Sequence, residues 1–208
     1  MESLLQQLEN ESPEGLKSRS IESLTWFRQK VTTLKLSSEA FYRQSSLKKL
    51  AGRRYLEGRM YLFFYDAKTK KKLPYWDRFP LVFILDLKQD GFIGLNLHYL
   101  PPRIRVRFLY ELYKYEMLEP EDDLDGEGDH KSLMRTKINM TKELLEGIPK
   151  LRYYKACYKR YLTTQIYGRP LEVTPDHWDA MAMLPVAQWQ KQNAKTVYKE
   201  SMEKVNGR

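Results

Sequence analysis

The sequence predicts an α+β fold in which a small curled antiparallel β-unit is flanked by helices. Apolar residues at 20–35 recur every three to four positions, which is typical of an amphipathic helix. Residues 58–100 instead hold short aromatic and aliphatic runs separated by turn-forming residues, which indicates strands. A chain of 208 residues can bury a core of its own. We expect a helical segment at 1–53, the β-unit with an inserted helix and an acidic loop at 54–140, and a helical region at 141–208.

The first segment is predicted to contain helices. Residues 2–9 fit a short helix, and residues 20–35 form the longer amphipathic one. Ser37 then begins a basic helical stretch that runs to about Leu50 and ends at Gly52.

Three strands are predicted next, and together they form a curled meander. Met60–Tyr65 is the first strand, a basic loop follows it, and the apolar run at 81–87 is the second. Asp90-Gly91 is typical of a tight hairpin turn with positive φ angles, so residues 92–100 return as the third strand. Gly94 within that strand indicates a bulge or a bend of the kind that closes a small barrel.

A helix and a charged loop follow the meander. Pro101-Pro102 stops the third strand and is well placed to open a helix. Residues 103–116 start with strand-like alternation, but their apolar positions also fit a helical face, and we interpret them as a helix. The acidic segment at 119–130 is predicted to be a loop. Arg135–Met140 fits a further strand, and Thr141 can cap a short helix after it.

The last part of the chain is predicted to be mostly helical. Residues 149–167 begin with a proline and carry apolar and aromatic residues at helical spacing, and Gly168-Arg169-Pro170 ends that helix. Thr174-Pro175-Asp176 combines a capping hydroxyl, a proline at the first helical position and an acid at the positive end of the helix dipole. Pro185 begins the predicted final helix, which fades into a polar tail.

The charge of the chain is unevenly distributed. There are 36 Lys and Arg against 27 Asp and Glu, a net charge of +9. Residues 43–78 hold eleven of the basic residues and three acids, residues 147–171 hold no acid, and residues 119–129 hold seven acids. Basic zones attract polyanions, nucleic acid above all, because neutralising phosphates releases counterions. A solvated surface, or acidic protein neighbours in an assembly, is the alternative interpretation.

The single cysteine, Cys157, excludes an internal disulfide and favours a reducing compartment. No apolar run approaches about 20 residues, the length needed to cross a bilayer. The N-terminus has no basic-then-apolar signal pattern. The sequence therefore predicts a protein without a membrane partner that is cytosolic when made.

No motif for enzymatic chemistry stands out. The sequence has no glycine-rich phosphate loop, nucleophile elbow or zinc-type spacing of His and Cys. We interpret His98, in an alternating strand, as a hydrogen-bonded structural residue. Cys157 is predicted to be a buried small apolar residue, although nearby cations could lower its pKa.

Two carboxylate patterns deserve a test. Residues 121–132 imitate the first half of a calcium loop, but Ser132 stands where the bidentate Glu is needed, so a solvated loop is favoured. Asp66, Asp77 and Asp86 lie in or beside the β-unit, as the acids of a nuclease would. Ordinary turn and salt-bridge roles are favoured for each of them, and we expect no enzyme, no metal and no cofactor.

Two basic stretches with interleaved aromatics carry the binding hypothesis. In a helix at 152–162 the cations form one stripe, while the tyrosines either stack on bases or fill the core. The lysines at 68–72 either meet an acidic partner or keep a β-edge from aggregating. The candidate nucleic-acid-binding residues are Lys68, Lys70, Lys71, Lys72, Arg78, Arg152, Lys155, Lys159 and Arg160.

A long central motif resembles a known family. Residues 59–109, RMYLFFYDAKTKKKLPYWDRFPLVFILDLKQDGFIGLNLHYLPPRIRVRFL, are similar to a virion assembly family of large contractile-tailed bacteriophages (myoviruses), most nearly of the DNA end protector or head-completion type. KACYKRYLTTQ at 155–165, and DHWD with MLPVAQW at 176–189, resemble the C-terminal half of that family. The resemblance spans about residues 20–200, and the acidic insert at 119–129 departs from it.

The resemblance implies a fold and a set of partners. The β-unit would be a small SH3-like antiparallel β-barrel in a non-catalytic protein of the virion, made in the host cytoplasm. Its partners would be double-stranded DNA, whose packaged ends it protects, and other virion proteins of the portal, neck or tail, and a homo-oligomer in the particle is allowed. The alternative is a structural protein of the tail, neck or baseplate that binds acidic protein neighbours rather than DNA.

Overall fold

The computed structural model describes residues 29, 37–45, 47–49, 55–116, 153–174 and 177–207. Within these ranges the α-helices are α1 (Ser38–Gln44), α2 (Pro102–Glu116), α3 (Tyr154–Cys157), α4 (Trp178–Met183) and α5 (Ala194–Val205). The strands are β1 (Lys48–Lys49), β2 (Met60–Tyr65), β3 (Trp76–Asp77), β4 (Leu81–Lys88), β5 (Gly91–Asn96), β6 (Tyr158–Leu162), β7 (Ile166–Val173) and β8 (Trp189–Gln190). Leu97–Tyr99 and Thr163–Gln165 form 3-10 turns.

Several predicted elements lie outside the described residues. They are the helix at 2–9, nearly all of the helix at 20–35, the acidic loop at 119–130 with its calcium-like pattern, and the strand and helix at 135–147.

An antiparallel sheet of six strands organises the described residues, in the order β1-β7-β2-β4-β5-β6. β3 and β8 form a separate two-stranded ribbon. The combination of helices and this sheet confirms the predicted α+β class. The strands of the six-stranded sheet come from all three predicted segments of the chain, because β1 precedes the meander while β6 and β7 lie beyond residue 157.

The predicted meander of β2, β4 and β5 is confirmed. β2 has the predicted bounds, and β4 runs one residue further than predicted, to Lys88. β5 ends at Asn96, earlier than predicted, because the Asn96 side chain accepts a hydrogen bond from the backbone N–H of His98 (3.0 Å) and caps the 3-10 turn. Helix α2 then begins at Pro102, as predicted, and includes the ambiguous residues 103–108.

Side chains alternate between the two faces of the sheet, and both faces are buried. The cluster on one face packs against the helices and includes Met60, Leu62, Leu81, Phe83, Leu171 and Trp178. The cluster on the other face is rich in aromatic rings and includes Tyr55, Tyr61, Phe63, Tyr65, Phe92 and Tyr161.

The sheet is curled around the aromatic cluster. Phe63 on β2 and Tyr161 on β6 have ring centroids 5.4 Å apart, although β4 and β5 lie between their strands. In a flat sheet, three strand spacings would separate the two backbones by about 14 Å. The sheet nevertheless stays open, with β1 and β6 at its edges, so the predicted SH3-like barrel is not confirmed.

Only glycine fits at position 91, because the backbone of β6 approaches it closely. A Cβ on Gly91 would lie 1.9 Å from the carbonyl oxygen of Tyr161 on β6. The hairpin predicted at Asp90-Gly91 is confirmed, but the predicted positive φ is wrong, since neither residue is in the left-handed region. The glycine therefore lets two strands approach and does not shape the turn.

The bulge predicted at Gly94 lies on the opposite strand. Pairing passes from Ile84–Gly94 to Asp86–Ile93, so Leu85 is the extra residue of β4. A Cβ on Gly94 would meet a side-chain carbon of Val82 at 2.4 Å, and hence only glycine fits beside the bulge.

Gly168-Arg169-Pro170 forms a bulge in β7 and does not end a helix as predicted. Pairing with β2 passes from Leu171 to Tyr167 while β2 advances by only two residues. Gly168 has a φ of 74°, a conformation that favours glycine. The Tyr42 hydroxyl of α1 bonds both the N–H and the carbonyl of Arg169 at 2.9 Å, which satisfies the backbone that the bulge leaves unpaired.

The helix predicted at 149–167 is wrong. Of its described residues, only Tyr154–Cys157 are helical, and Tyr158–Leu162 form the strand that pairs with β5. The helical spacing of its aromatic residues coexists with strand alternation, and pairing with a strand more than 60 residues away decides between them.

Three predicted helix boundaries also differ from the structure. α1 ends at Gln44, short of Leu50, because the chain turns extended and pairs with β7. The final helix begins at Ala194 and not at Pro185, capped by Asn193, whose side chain accepts from the Thr196 N–H at 3.0 Å. α4 starts at Trp178, just after the predicted capping segment. None of the described helices is long and apolar enough to span a bilayer.

Candidate nucleic-acid interface

Residues 66–73, called the basic loop below, join β2 to the β3 ribbon and carry four predicted site residues. Lys68, Lys70, Lys71 and Lys72 are all exposed. The backbone of the loop folds on itself, since the Lys70 N–H donates to the Ala67 carbonyl (3.0 Å) and the Lys72 N–H to the Thr69 carbonyl (2.9 Å). These bonds give the lysines a defined surface to project from.

Lys191, which lies between β8 and α5, fixes the basic loop by hydrogen bonds to its backbone carbonyls. Its Nζ donates to the carbonyls of Lys70 and Leu73, each at 2.7 Å, and approaches that of Lys71 at 3.3 Å. Lys191 adopts a φ of 67°, a conformation that costs a non-glycine residue about 1 kcal/mol or more. The loop is thus clamped by a residue that no sequence pattern singled out.

One of the four loop lysines is neutralised locally. Lys70 Nζ lies 2.8 Å from a carboxylate oxygen of Asp66, and the two side chains are about half exposed. Within the described part of the chain, Lys68, Lys71 and Lys72 form no ion pair. These three amines are therefore the charges that the loop offers to a partner.

Arg78 lies beside the loop and is held by a tyrosine. Its guanidinium donates to the Tyr167 hydroxyl at 2.8 Å, and the Tyr167 ring stacks on Phe64 with centroids 5.5 Å apart. Arg78, Lys70 and Tyr167 line one shallow depression of about 480 Å³. The structure therefore brings Arg78 next to the basic loop, as the binding hypothesis requires.

A second concavity, called the aromatic cavity below, lies between the basic loop and β6. Its volume is about 410 Å³. The loop contributes Ala67, Thr69 and Leu73, and β6, an edge strand, contributes residues 158–161. The rings that line it are Tyr65, Tyr75, Trp76, Tyr99, Tyr158 and Tyr161.

Three cations also line the aromatic cavity. Lys159 is largely buried, and its Nζ lies 4.2 Å from the Tyr99 ring centroid and donates to the Ala156 carbonyl at 2.8 Å. Burial lowers the pKa of Lys159 to about 8. Arg160 and Lys204 are exposed at the cavity. The two basic zones of the sequence thus meet here.

The remaining predicted site residues have other surroundings. Arg160 also bonds Asp90 in the β4–β5 turn, at 2.7 and 3.0 Å, so part of its charge is already paired. Lys155 is exposed on α3 and is not among the residues that line the cavity. Arg152 lies outside the described residues. The predicted stripe of Arg152, Lys155 and Lys159 on one helix face is wrong, because Lys159 lies on a strand.

A buried polar network supports the cavity. Asp77 on β3 lines the cavity and accepts hydrogen bonds from the backbone N–H groups of Phe79 (2.9 Å) and Gln188 (2.8 Å). His98 lies behind it, and the hydrogen-bonded structural role predicted for this histidine is confirmed. Arg105 of α2, 2% exposed, donates to the carbonyl of Leu100 at 2.8 Å and to the Tyr198 hydroxyl at 2.6 Å.

The carboxylates considered for a nuclease are engaged separately. Asp66 pairs with Lys70, Asp86 pairs with Lys88 at 2.5 Å, and Asp77 belongs to the buried network. Among the described residues, no group of three or more His, Cys, Asp or Glu is placed to hold a metal ion. Cys157 is buried as predicted, and burial raises its thiol pKa to about 12 despite the nearby cations.

Several residues of the interface are not predicted by any pattern in the sequence. Lys204 stands in the segment that was predicted to be a fading polar tail, and Trp76 and Tyr99 carry no pattern that places them in a cavity wall. The cavity is assembled from residues 65–77, 99, 158–161 and 204, which are distant in sequence. Alternation within one segment cannot reveal such an arrangement.

A family model described as phage T4 terminal DNA protecting protein matches residues 18–205. No curated protein and no solved structure gives a significant match to the chain.

Proposed function

The chain belongs to the phage T4 terminal DNA protecting protein family, and on that premise we propose that it binds the ends of packaged double-stranded DNA and shields them from exonucleases. The protein acts by binding and not by catalysis. The observation that carries the proposal is the meeting of the basic loop with the cations of β6 around one aromatic-walled concavity. The cations can bind DNA phosphates, and the aromatic rings can stack on bases that are exposed at a DNA end.

The charge arrangement supports contact with a duplex. Lys68, Lys71 and Lys72 project from a clamped loop, and Arg78 lies beside them. Because the loop backbone is already held, only the lysine side chains lose conformational freedom on binding, so more of the electrostatic attraction is retained as affinity. The same surface would suit acidic proteins, which is the competing outcome of the test below.

A wider role is also proposed, and membership of this family supports it. We place the protein in the virion, where protected DNA ends make the filled head competent for joining to a tail, with portal, neck or tail proteins as neighbours. The described residues show no second surface that identifies one of these neighbours.

We also propose that the β-unit is SH3-like. What supports this is the path of the chain: the 3-10 turn at 163–165 joins the outer strand β6 directly to β7, which pairs with β2. With the curl that brings the rings of Phe63 and Tyr161 together, β2, β4, β5, β6 and β7 would form a closed circuit. A solved structure of the chain in which β6 and β7 diverge would contradict this arrangement.

The function is tested by an exonuclease protection assay. Blunt-ended linear duplex is incubated with the protein and then with a double-strand exonuclease, and intact DNA is measured. We expect protection of linear DNA, loss of protection in the triple variant K68E/K71E/K72E, and binding that weakens steeply with salt. Absence of binding at low salt, together with capture of acidic head or tail proteins of the phage, would overturn the proposal in favour of a protein-binding role.

A further inference from the structure

We propose that the aromatic cavity is a binding site for one unstacked nucleotide at the end of a DNA duplex. The inference rests on the proposed function and adds what that function lacks, a feature that distinguishes an end from the interior of a duplex. The cavity volume of about 410 Å³ lies within the range of about 300–1,000 Å³ of small-ligand sites.

The rings of the cavity provide surfaces for a base. Of the lining tyrosines, Tyr158 is 39% exposed, whereas Tyr161 and Tyr99 are less than a tenth exposed. Stacking of a base on an aromatic side chain contributes about 1–3 kcal/mol and does not depend on base identity. A protein that must protect an end of any sequence needs this kind of recognition.

The charges of the cavity suit a phosphate group. Lys159, Arg160 and Lys204 are on its walls. The only acid among the lining residues is Asp77, whose two carboxylate oxygens already accept from backbone N–H groups and contact His98. The free charge of the cavity is therefore positive, and a nucleotide with its phosphate complements it.

The wall of the aromatic cavity contains a hydrogen-bond donor without a partner among the described residues. The indole Nε1 of Trp76, a lining residue, is buried and has no hydrogen-bond partner among the described residues. Buried donors in proteins are almost always satisfied by a protein group, a water or a ligand, and a base in the cavity would supply the acceptor for this one. Every base carries ring nitrogens or carbonyl oxygens that can do so.

The duplex end is the natural source of such a nucleotide. A base pair inside a duplex is stacked on both sides, and extracting one of its bases costs a few kcal/mol. A terminal base stacks on one side only and leaves the duplex more readily. The basic loop would hold the phosphates of the last turn while the cavity holds the terminal base, so general affinity for DNA becomes a preference for ends.

Tyr158 and Tyr167 form a matched pair for the test, because each is 39% exposed and only Tyr158 lies in the cavity. Affinities of the full chain are measured for a blunt-ended linear duplex and for a closed circle of the same sequence. We expect Tyr158→Ala to weaken linear binding roughly 5- to 100-fold while circle binding stays unchanged. Tyr158→Phe should keep wild-type affinity, and Tyr167→Ala should affect linear and circular DNA equally.

A crosslinking experiment locates the base directly. A photoreactive 5-iododeoxyuridine is placed at the terminal or at a central position, and crosslinked peptides are identified by mass spectrometry. We expect terminal crosslinks at Tyr158 or Tyr161 and none there from the central position. Equal affinity for linear DNA and circles, or terminal crosslinks only outside the cavity, would overturn the inference while leaving DNA binding intact. Wild-type protein that binds no DNA at all would instead overturn the proposed function.

Discussion

His98 and Asp77 form a fully enclosed pair beneath the aromatic cavity. The Nδ1 atom of His98 lies 2.6 Å from an Oδ2 oxygen of Asp77, and neither side chain is exposed. His98 belongs to the 3-10 turn after β5 and Asp77 to β3, and the other Asp77 oxygen binds the Gln188 N–H just before β8. One carboxylate therefore joins three distant segments of the chain.

Removing that carboxylate should destabilise the fold strongly. Asp77→Ala leaves two backbone N–H groups and the His98 ring without their acceptor, and we expect the free energy of unfolding in urea to fall by about 3–5 kcal/mol. Asp86→Ala is the control, since Asp86 pairs with Lys88 while both side chains are more than two-fifths exposed, and it should cost at most about 1 kcal/mol. Equal losses in the two variants would contradict the role of Asp77.

Stability should decrease in mildly acidic solution because of His98. Burial lowers the pKa of His98, and the Arg105 charge acts in the same direction, although Asp77 opposes them. The unfolded chain takes up a proton below the ordinary histidine pKa of about 6.5, whereas the folded chain does not. The free energy of unfolding should therefore fall as the pH drops from about 6.5 to 5. His98→Asn should flatten this decline in urea titrations, and an undiminished decline would refute the assignment.

Gly91→Ala should separate β6 from β5. The added Cβ would lie 1.9 Å from the Tyr161 carbonyl oxygen, so the backbone must move and we expect a loss of about 3 kcal/mol or more. Gly207→Ala is the matched control, because that glycine has a φ of 73° and nothing within 4 Å, and only backbone strain of about 1 kcal/mol opposes the change. Thermal and urea unfolding of both variants measure the difference.

The loop lysines should differ in their effect on salt dependence. Each phosphate contact contributes about 0.9 to the slope of log affinity against log salt concentration. Lys71→Gln should reduce the slope by up to that amount, whereas Lys70→Gln should change it less because Asp66 already pairs with Lys70. Slopes that respond equally to both substitutions would show that Asp66 leaves Lys70 when DNA binds.

Lys159 should make DNA affinity and stability respond oppositely to alkaline pH. Its pKa is lowered to about 8 by burial, with the Lys204 charge adding to the effect and the Cys157 thiol opposing it, and the Tyr99 ring lies against the amine. Between pH 8 and the ordinary lysine pKa of about 10.4, the unfolded chain holds the proton that the folded Lys159 has lost, so the Lys159 contribution to stability rises with pH. The buried Cys157 thiol, whose pKa is raised to about 12, contributes in the opposite direction, so the Lys159 contribution is measured as the difference between wild type and a Lys159 variant. Affinity for DNA ends should fall across pH 7–9 as Lys159 loses its charge.

Two substitutions separate these effects. Lys159→Met should remove the Lys159 contribution to both pH responses, because it removes the titrating amine. Lys159→Arg should retain affinity at pH 9, since a guanidinium stays charged there. Affinity that is constant from pH 7 to 9 in the wild type would show that the Lys159 charge does not contact DNA.

The meander was predictable because its information is local. A continuous run of aliphatic and aromatic residues in Met60–Tyr65 and a two-residue turn at Asp90 indicate strands that pair with their neighbours along the chain. Strand β6 was not predictable by the same means. Tyr158–Leu162 fits a helix as well as a strand, and its partner β5 lies beyond a long insertion.

The candidate site also contains some features that local sequence predicts and others that it does not. The four loop lysines were identified correctly as exposed, because a hydrophilic run between two strands has few other places to lie. Lys159 was predicted to be a surface cation, yet it is largely buried against Tyr99. Its burial depends on a residue 60 positions away, and such contacts follow from the tertiary fold rather than from sequence spacing.

The strand order also constrains how the chain can be made without aggregating. β7 pairs with β2 on one side of the meander and β6 pairs with β5 on the other, so the β5 flank stays unpaired until residue 162 has been synthesised and the β2 flank until residue 173. Unpaired edges of apolar strands are templates for association with other chains. A nascent or truncated chain that stops within residues 97–157 would therefore expose two unpaired strand edges at once, those of β2 and β5. Premature termination there should yield inclusion bodies rather than a smaller folded unit.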